Sequence, residues 1–190
     1  MKNMTYYIRR NTIYDIIQGK INVSIFENVR FYMFREMRRM KQQVSEEKCR
    51  EILKTEKRAV LSVTGNEGYP YGVPVNFFYD EEENTIYLHG AMAGHKIDAI
   101  KKNEKVCFTV WNQGYIKEGD WAYNVTSVVA FGKAELMNDM EKATDKIRLM
   151  GYKYYPEKEQ VEKEIKESMH HVQMIAVHIE HMTGKLINEK

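Results

Sequence analysis

The chain has few of the features that mark secreted, membrane or metal-binding proteins. Its 190 residues include two cysteines, Cys49 and Cys107, which are far apart and lack metal-ligand spacing. Free thiols in a reducing compartment are the interpretation we favour. No run of about 20 apolar residues is present, and no basic segment leads into a short apolar one, so neither a membrane span nor a secretory signal is predicted. We expect a cytoplasmic protein.

Several catalytic motifs are missing as well. No Gly-x-Gly-x-x-Gly follows a predicted strand, and no Gly-x-Ser-x-Gly occurs. Gly90 and Gly94 are wrongly spaced before Lys96 for a phosphate-binding P-loop, and no Ser or Thr follows the lysine. Cys107 lies in the middle of a predicted strand without an obvious base. The sequence therefore gives no support to nucleophilic catalysis or to a Rossmann nucleotide site.

The histidines near the C-terminus resemble a metal site only superficially. His178 and His181 fall in a predicted strand, where residues three apart point to opposite faces, so they are not expected to chelate together. His170 and His171 precede that strand. Surface or packing histidines are the favoured interpretation, and no metal site is predicted.

The basic residues are concentrated at the N-terminus. Residues 1–41 hold nine Lys or Arg and three Asp or Glu, whereas residues 42–190 hold 20 and 24. The mildly acidic body argues against nucleic-acid binding. Residues 1–32 show no clean period and fit a partly ordered extension, a basic arm for an acidic partner, or a segment upstream of a start at Met33 or Met37. We predict a non-catalytic extension at 1–36 and one domain at 37–190.

Hydrophobic patterning predicts a mainly β domain. Six strands are predicted at residues 58–64, 69–80, 85–89, 105–112, 123–137 and 172–187, and helices at 46–57, 96–102, 138–153 and 157–169. A hairpin turn is expected at residues 65–68 and a bulge at Gly132. Pro70 and Pro74 confine parts of their strand to a sheet edge, a strand end or a bulge. Meanders without a βαβ rhythm favour a six-stranded antiparallel barrel with peripheral helices, because closure removes exposed edges.

The most informative segment joins the third strand to a helix at residues 86–100. The strand stops near Gly90 and Gly94, and the helix opens with His95 and Lys96. Helix N-termini carry unpaired N–H groups and a positive dipole end, so a cation there favours a phosphate-binding site. The alternative is an ordinary helix start with solvated cations, although a lysine there opposes the dipole unless an anion is present.

His89, at the end of that strand, has two interpretations. It is either a structural histidine bonded to backbone or a site residue. In the second case a neutral imidazole donates a hydrogen bond to a ligand oxygen or relays a proton near neutral pH.

Four motifs in order resemble a known family. They are Tyr-Pro-Tyr-Gly-Val-Pro-Val from residue 69, Tyr-Leu-His-Gly-Ala-x-x-Gly-His-Lys from residue 87, Ser-Val-Val-Ala-Phe-Gly-Lys-Ala from residue 127, and a closing Met-Thr-Gly-Lys. This order resembles the split-barrel flavoproteins related to pyridoxamine 5′-phosphate oxidase, and within them the nitroimidazole-resistance (Nim) branch. The resemblance covers about residues 37–187.

The resemblance implies an FMN-binding homodimer with two flavin sites at the subunit interface. Lys96 and His95 match positions that hold the phosphate, with Ala91 and Gly94 in the preceding loop, and His89 and Gly90 match the strand end beside the phosphate and ribityl chain. Backbone groups of Val73, Pro74, Val75, Asn76 and Phe77 match the strand along the flavin ring, and Ser127 matches a polar residue near the site. Trp111, Asn112 and Trp121 are predicted to cover the flavin from the partner subunit.

Two departures bear on the substrate. The oxidase has an arginine where this chain has Tyr71-Gly72, and its tryptophan- and arginine-containing C-terminal tail is missing here. The leading hypothesis is therefore an FMN-dependent oxidoreductase that reduces small electron-poor substrates such as nitro compounds, with His89 as the catalytic residue. Alternatives are a pyridoxamine 5′-phosphate oxidase-type enzyme, a non-catalytic flavin or haem module, and an interaction role for residues 1–41.

Overall fold

The computed structural model describes residues 34–188. The predicted extension at 1–36 lies outside this range except for its last three residues, so its role and the division at residue 37 stay predictions. No helix in the described range is both long enough and apolar enough to cross a bilayer.

An eight-stranded antiparallel sheet forms the body of the domain. Its strands are β1 (Arg58–Thr64), β2 (Pro70–Asn76), β3 (Phe78–Asp80), β4 (Thr85–Ala91), β5 (Lys105–Trp111), β6 (Tyr115–Ile116), β7 (Tyr123–Leu136) and β8 (Val172–Ile187). Their order is β2-β1-β5-β7-β8-β4-β3, with the short β6 paired to β7. The helices are α1 (Glu46–Thr55), α2 (His95–Lys102), α3 (Met140–Tyr154) and α4 (Lys158–Ser168).

The fold class is confirmed: the sheet is antiparallel and curled, and helices lie at its periphery. Closure of the barrel is not seen. The order of paired strands runs from β2 at one edge to β3 at the other, and β2 approaches β4 without a ladder in the described chain. The domain is a half-barrel with an open edge at β2, which bears on the site below.

The β1–β2 hairpin follows the predicted pattern. Its register pairs Arg58 with Asn76 and Thr64 with Pro70, and the Gly65 N–H donates to the Tyr69 carbonyl at 2.8 Å across the turn. β2 lies at an edge of the sheet, which is one of the three positions that its prolines allow, because proline lacks the N–H that a central strand requires.

The predicted strand at 69–80 is two strands, β2 and β3. This division accounts for one of the two strands that the structure has beyond the predicted six. The chain breaks at Phe77, whose N–H donates to Tyr154 Oη at 2.8 Å and whose carbonyl accepts from the same hydroxyl at 3.1 Å. A side chain from α3 therefore replaces the sheet ladder at this residue. The eighth strand is β6, a two-residue element inside the predicted loop at 113–119.

Two other local predictions can be compared with the structure. The bulge in β7 is confirmed, because the register with β8 shifts between Phe131 and Gly132. A Cβ on Gly132 would lie 2.2 Å from the carbonyl oxygen of His178, so glycine is required there. The helix predicted at 138–153 spans Met140–Tyr154, and its N-cap is Asp139, whose carboxylate accepts from the N–H groups of Glu141 and Lys142.

Two apolar clusters hold the domain together. The larger fills the inner face of the curled sheet beneath α1 and α2, with Leu53, Leu61 and Phe108 among its fully buried members. The smaller lies between α3 and the outer face of β4 and β8, and includes Tyr87 and Met150. The first cluster positions α2, and the second positions α3 and α4 beside the end of β4.

Both cysteines are free thiols, as predicted. Burial raises the pKa of the Cys49 and Cys107 thiols, which keeps both protonated at neutral pH.

Candidate functional site

The start of α2 has the features expected of an anion-binding site. The helix follows Gly94, whose φ of 131° is a conformation that L side chains rarely adopt. No side chain among residues 34–188 caps the N-terminus, so within this range its first N–H groups are left for solvent or a ligand.

Lys96 lies back over the end of β4. Its Nζ donates to the His89 carbonyl oxygen at 3.3 Å, and a Cβ on Gly90 would lie 2.8 Å from that Nζ. Glycine at position 90 therefore makes the space in which the lysine lies. Burial lowers the pKa of Lys96, since the ammonium is partly removed from water. An anionic ligand would restore the stabilisation that the lost water provided.

A cavity of about 470 Å³ opens beside this lysine. It is lined by Arg58, Pro74, Val75, Asn76, His89 and Lys96. All but Arg58 were predicted as site residues, and the structure brings those five together. The lining contains two cations and no acidic residue of the described chain, so the cavity suits an anionic group.

Arg58 was not among the predicted site residues, although the sequence contains a usable signal for it. The predicted hairpin turn at 65–68 fixes the register of β1 and β2, and this register places Arg58 opposite Asn76. An arginine at that position therefore faces the same region as the predicted flavin strand.

The prediction that His95 and Lys96 hold a phosphate together is not matched by their side chains, since only that of Lys96 lines the cavity. The His95 ring stacks on Tyr71 with a centroid distance of 4.1 Å and an interplanar angle of 17°. Its Nε2 accepts a hydrogen bond from the Asn66 N–H at 3.3 Å. The ring is thus engaged with the β1–β2 turn and does not line the cavity. Of the polar groups of His95, the backbone N–H in the first turn of α2 is the one that remains suited to phosphate.

His89 is held in a defined orientation. Its Nδ1 lies 3.4 Å from the sulfur of Met150 in α3. A thioether only accepts hydrogen bonds, so this contact requires the proton on Nδ1 and leaves Nε2 as an acceptor. Burial, followed by the charge of Lys96, lowers the pKa of His89. The imidazole is therefore neutral at pH 7.

The other predicted residues are more scattered. Phe77 is buried and both of its backbone groups bond Tyr154, so it does not offer backbone to a ligand in the way Val73 to Asn76 do. Val73 lies on β2 but does not line the cavity. Ala91 is exposed at the end of β4, and Gly94 is exposed in the turn before α2.

Four further predicted residues lie on β5 and β7 or in the loops next to them. Ser127 and Trp111 are paired across β7 and β5, and Asn112 Oδ1 accepts from the Thr126 N–H at 2.8 Å. Trp111 and Trp121 are 49% and 72% exposed. None of these four residues lines the cavity at Lys96.

The C-terminal histidines have structural partners. His178 bonds Thr85 Oγ1 at 3.2 Å and Glu135 Oε2 at 3.2 Å, and the rings of His170 and His171 lie 3.8 Å apart. The ring of His181 stacks on Phe131.

Comparison with known proteins identifies the family. The model of the pyridoxamine 5′-phosphate oxidase family matches residues 45–186, and the chain belongs to that family. A search of curated proteins finds no match. The resemblance drawn from the four sequence motifs is thereby confirmed.

Solved structures match most of this chain. A candidate 5-nitroimidazole antibiotic resistance protein from Bacteroides thetaiotaomicron is 25% identical, with a TM-score of 0.65 over 77% of this chain and 87% of its own. The flavocytochrome Anf3 from Azotobacter vinelandii is 22% identical, with a TM-score of 0.67 over 80% and 72%. A FAD-binding protein from Mesorhizobium loti is 19% identical, with a TM-score of 0.58 over 77% and 97%. The last two share the fold.

Proposed function

We propose that this protein is a flavin-binding oxidoreductase whose cofactor phosphate is held by Arg58, Lys96 and the N-terminus of α2. The observation that carries the proposal is the cation-lined cavity at an uncapped helix start, with Gly90 making room for the lysine. Family membership and the flavin-binding proteins among the structural neighbours support it.

The residues present fit a flavin in two further respects. β2 pairs with β1 on one side only, so along its other side backbone groups of the segment 73–76 have no ladder partner in the described chain. An isoalloxazine ring has N–H and carbonyl groups along one edge and suits such a strand. The apolar surfaces of Pro74 and Val75 suit the face of the ring.

FMN is the favoured flavin. Its terminal phosphate monoester carries a charge near −2 at neutral pH, which matches two cations and a helix N-terminus. Each phosphate of the FAD diphosphate bridge carries a smaller charge.

The reaction class we propose is reduction of a small electron-poor substrate such as a nitro compound. A bound flavin, once reduced by an external two-electron donor, would supply two electrons, and conversion of a nitro group to a nitroso group takes two electrons and two protons and releases water. The chain contributes binding, orientation and proton handling. His89 lines the cavity, is neutral, and presents Nε2, where it accepts a proton from solvent and returns it to substrate.

We also propose a homodimer in which Trp111, Asn112 and Trp121 of one subunit approach the flavin of the other. Large apolar side chains are exposed on β5, on β6, in the β6–β7 loop and at the start of β7, namely Trp111, Tyr115, Ile116, Trp121 and Tyr123. A surface of this kind marks an interaction site more often than a solvated face. A partner there would also shield a ligand at the open edge of the half-barrel.

Absorption spectroscopy tests the flavin proposal. Purified protein should retain bound-flavin bands after addition of FMN and removal of the excess. Lys96→Ala should lose them, because the partly buried cation that faces the phosphate is gone. Lys101→Ala removes an equal charge from the last turn of the same helix and should retain them.

Turnover is tested separately with the flavin-loaded protein. Anaerobic reduction followed by addition of a nitroimidazole should re-oxidise the flavin and consume the nitro absorbance. Retention of flavin with no re-oxidation would favour a non-catalytic carrier, and turnover of pyridoxamine 5′-phosphate with oxygen would favour the oxidase alternative.

A further inference from the structure

A second cavity, of about 430 Å³, lies between α3, α4 and the end of β4. It shares Asn76 and His89 with the cation-lined cavity, so a ligand in either one contacts the same histidine. Sequence analysis assigned no function to α3 or α4, yet these helices supply most of its lining. Its volume suits a compound of one or two rings.

Much of its lining is apolar. Met150 is 3% exposed and Val161 is 7% exposed, and Ile165 lies one turn beyond Val161 on the same face of α4. The thioether of Met150 is polarizable and suits an aromatic ring. Met150 also bonds His89, so a ring packed on this methionine lies next to the imidazole.

One row of α4 adds a polar rim. Gln160, Glu164 and Ser168 recur at four-residue spacing and line the same cavity. Ser168 Oγ donates to Glu164 Oε1 at 2.7 Å, which holds the carboxylate on this side of the helix. Glu164 is the one acidic side chain in the lining formed by residues 34–188, and no lysine or arginine of that range lines the cavity. The two cavities therefore differ in the sign of their charge.

We propose that the α3–α4 cavity binds a small planar aromatic compound that is uncharged or cationic, and that Glu164 disfavours anions. Its identity as the substrate site rests on the proposed function, whereas the binding preference itself does not. In this arrangement Arg58 and Lys96 attract the cofactor phosphate. Glu164 weakens the binding of an anionic second ligand and permits a neutral or cationic one. Both ligands then meet at Asn76 and His89.

Three probes with one ring and different charges test this preference. They are 4-nitrobenzylamine, 4-nitrobenzyl alcohol and 4-nitrobenzoate, with binding measured by calorimetry on the full chain with and without FMN. The amine and the alcohol should bind about three- to tenfold more tightly than the benzoate, as expected for one partly solvated charge at close range. Glu164→Gln should remove most of that difference.

Two variants complete the design. Glu167→Gln removes an equal charge from the same helix at a residue that does not line the cavity, and should leave the order of affinities unchanged. Gln160→Trp places a large ring at an exposed rim position and should abolish binding of all three probes, while circular dichroism shows a folded protein.

The outcomes separate this inference from the proposed function. Equal binding of the three probes, an order that Glu164→Gln does not change, or unaltered binding in Gln160→Trp would overturn the inference. Failure to bind FMN together with charge-ordered probe binding would overturn the proposed function alone. Tight FMN binding without any probe binding would overturn the inference alone.

Discussion

At the scale of single residues, the state of His89 decides what the site can do. A neutral imidazole with its proton on Nδ1 bonds Met150 and keeps Nε2 free to accept. A protonated ring would lose that acceptor and would add a third positive charge beside Arg58 and Lys96. Proton transfer at His89 is therefore coupled to the cations that are proposed to hold the phosphate.

The pKa of His89 gives a direct prediction. Burial lowers it below 6.5, and the charge of Lys96 lowers it further. Lys96→Met should raise the pKa part of the way back towards 6.5, since the charge is removed but the burial remains. Titration of the imidazole carbon-bound protons by NMR measures this, with Lys101→Met as the control. An unchanged pKa in Lys96→Met would contradict the described proximity.

At the scale of elements, an ionic network joins α3 to the β3–β4 turn. Lys146 is 8% exposed, and its Nζ lies 2.7 Å from Asp80 Oδ2 and 2.5 Å from Glu83 Oε1. Glu83 also accepts hydrogen bonds from Lys142 and from the Tyr87 hydroxyl. This network fixes the N-terminal half of α3. Met150 and Tyr154 follow in the C-terminal half of the helix, where Met150 contacts His89 and Tyr154 bonds Phe77.

Two lysines of this network make a matched pair. Lys146→Ala should lower the free energy of unfolding by about 3 kcal/mol, because it leaves Asp80, whose side chain is 17% exposed, without its cationic partner. Lys142→Ala removes a lysine that is 46% exposed, and should cost about 1 kcal/mol or less. Urea denaturation measures both. Similar losses in the two variants would contradict the description of Lys146 as the buried member.

The same network predicts acid sensitivity. Hydrogen bonds from Lys142, Lys146 and Tyr87 lower the pKa of Glu83 from 4.5 to about 2. A carboxyl whose pKa is lower in the folded state stabilises the fold above its unfolded value, and that stabilisation is lost as the pH falls. The free energy of unfolding should therefore decrease between pH 4.5 and pH 2, and less steeply in Glu83→Gln. Parallel pH profiles for the two proteins would count against this explanation.

Much of the element pattern was readable from the sequence, because it depends on local signals. Runs of apolar and β-branched residues predicted β1, β7 and β8 nearly to the residue, and the prolines of β2 restricted it to an edge, an end or a bulge. The break at Phe77 was not readable, since it depends on a hydroxyl 77 residues away.

The site was predictable to the extent that it is local. Lys96 and His89 follow from one strand-to-helix segment, and Arg58 could have been added from the hairpin register. The stacking of His95 on Tyr71 and the contribution of α3 and α4 depend on tertiary packing, which no local pattern encodes.

At the scale of the whole molecule, the exposed aromatic surface predicts self-association. The protein should behave in light scattering as a particle of twice its 22.5 kDa mass. A variant with Trp111→Glu and Trp121→Glu should be monomeric, because it places charges in the proposed apolar interface. Leu149→Glu, on the exposed face of α3, should remain dimeric. A monomeric parent protein would contradict the proposed dimer.

The two tryptophans offer an independent check, since the chain has no others. Their emission should shift to shorter wavelength as the concentration rises through the dimer dissociation constant, because both leave water on association.

The central claim is that Arg58 and Lys96 bind the phosphate of a flavin, and comparison of FMN with riboflavin tests it most directly. The two ligands share the ring and ribityl chain and differ by the phosphate. The parent protein should bind FMN at least tenfold more tightly than riboflavin, since charge-assisted hydrogen bonds contribute about 1.5 kcal/mol or more each. That ratio should fall towards one when Arg58→Ala and Lys96→Ala are combined. Equal affinity of the parent protein for both ligands, or no affinity for either, would contradict the claim.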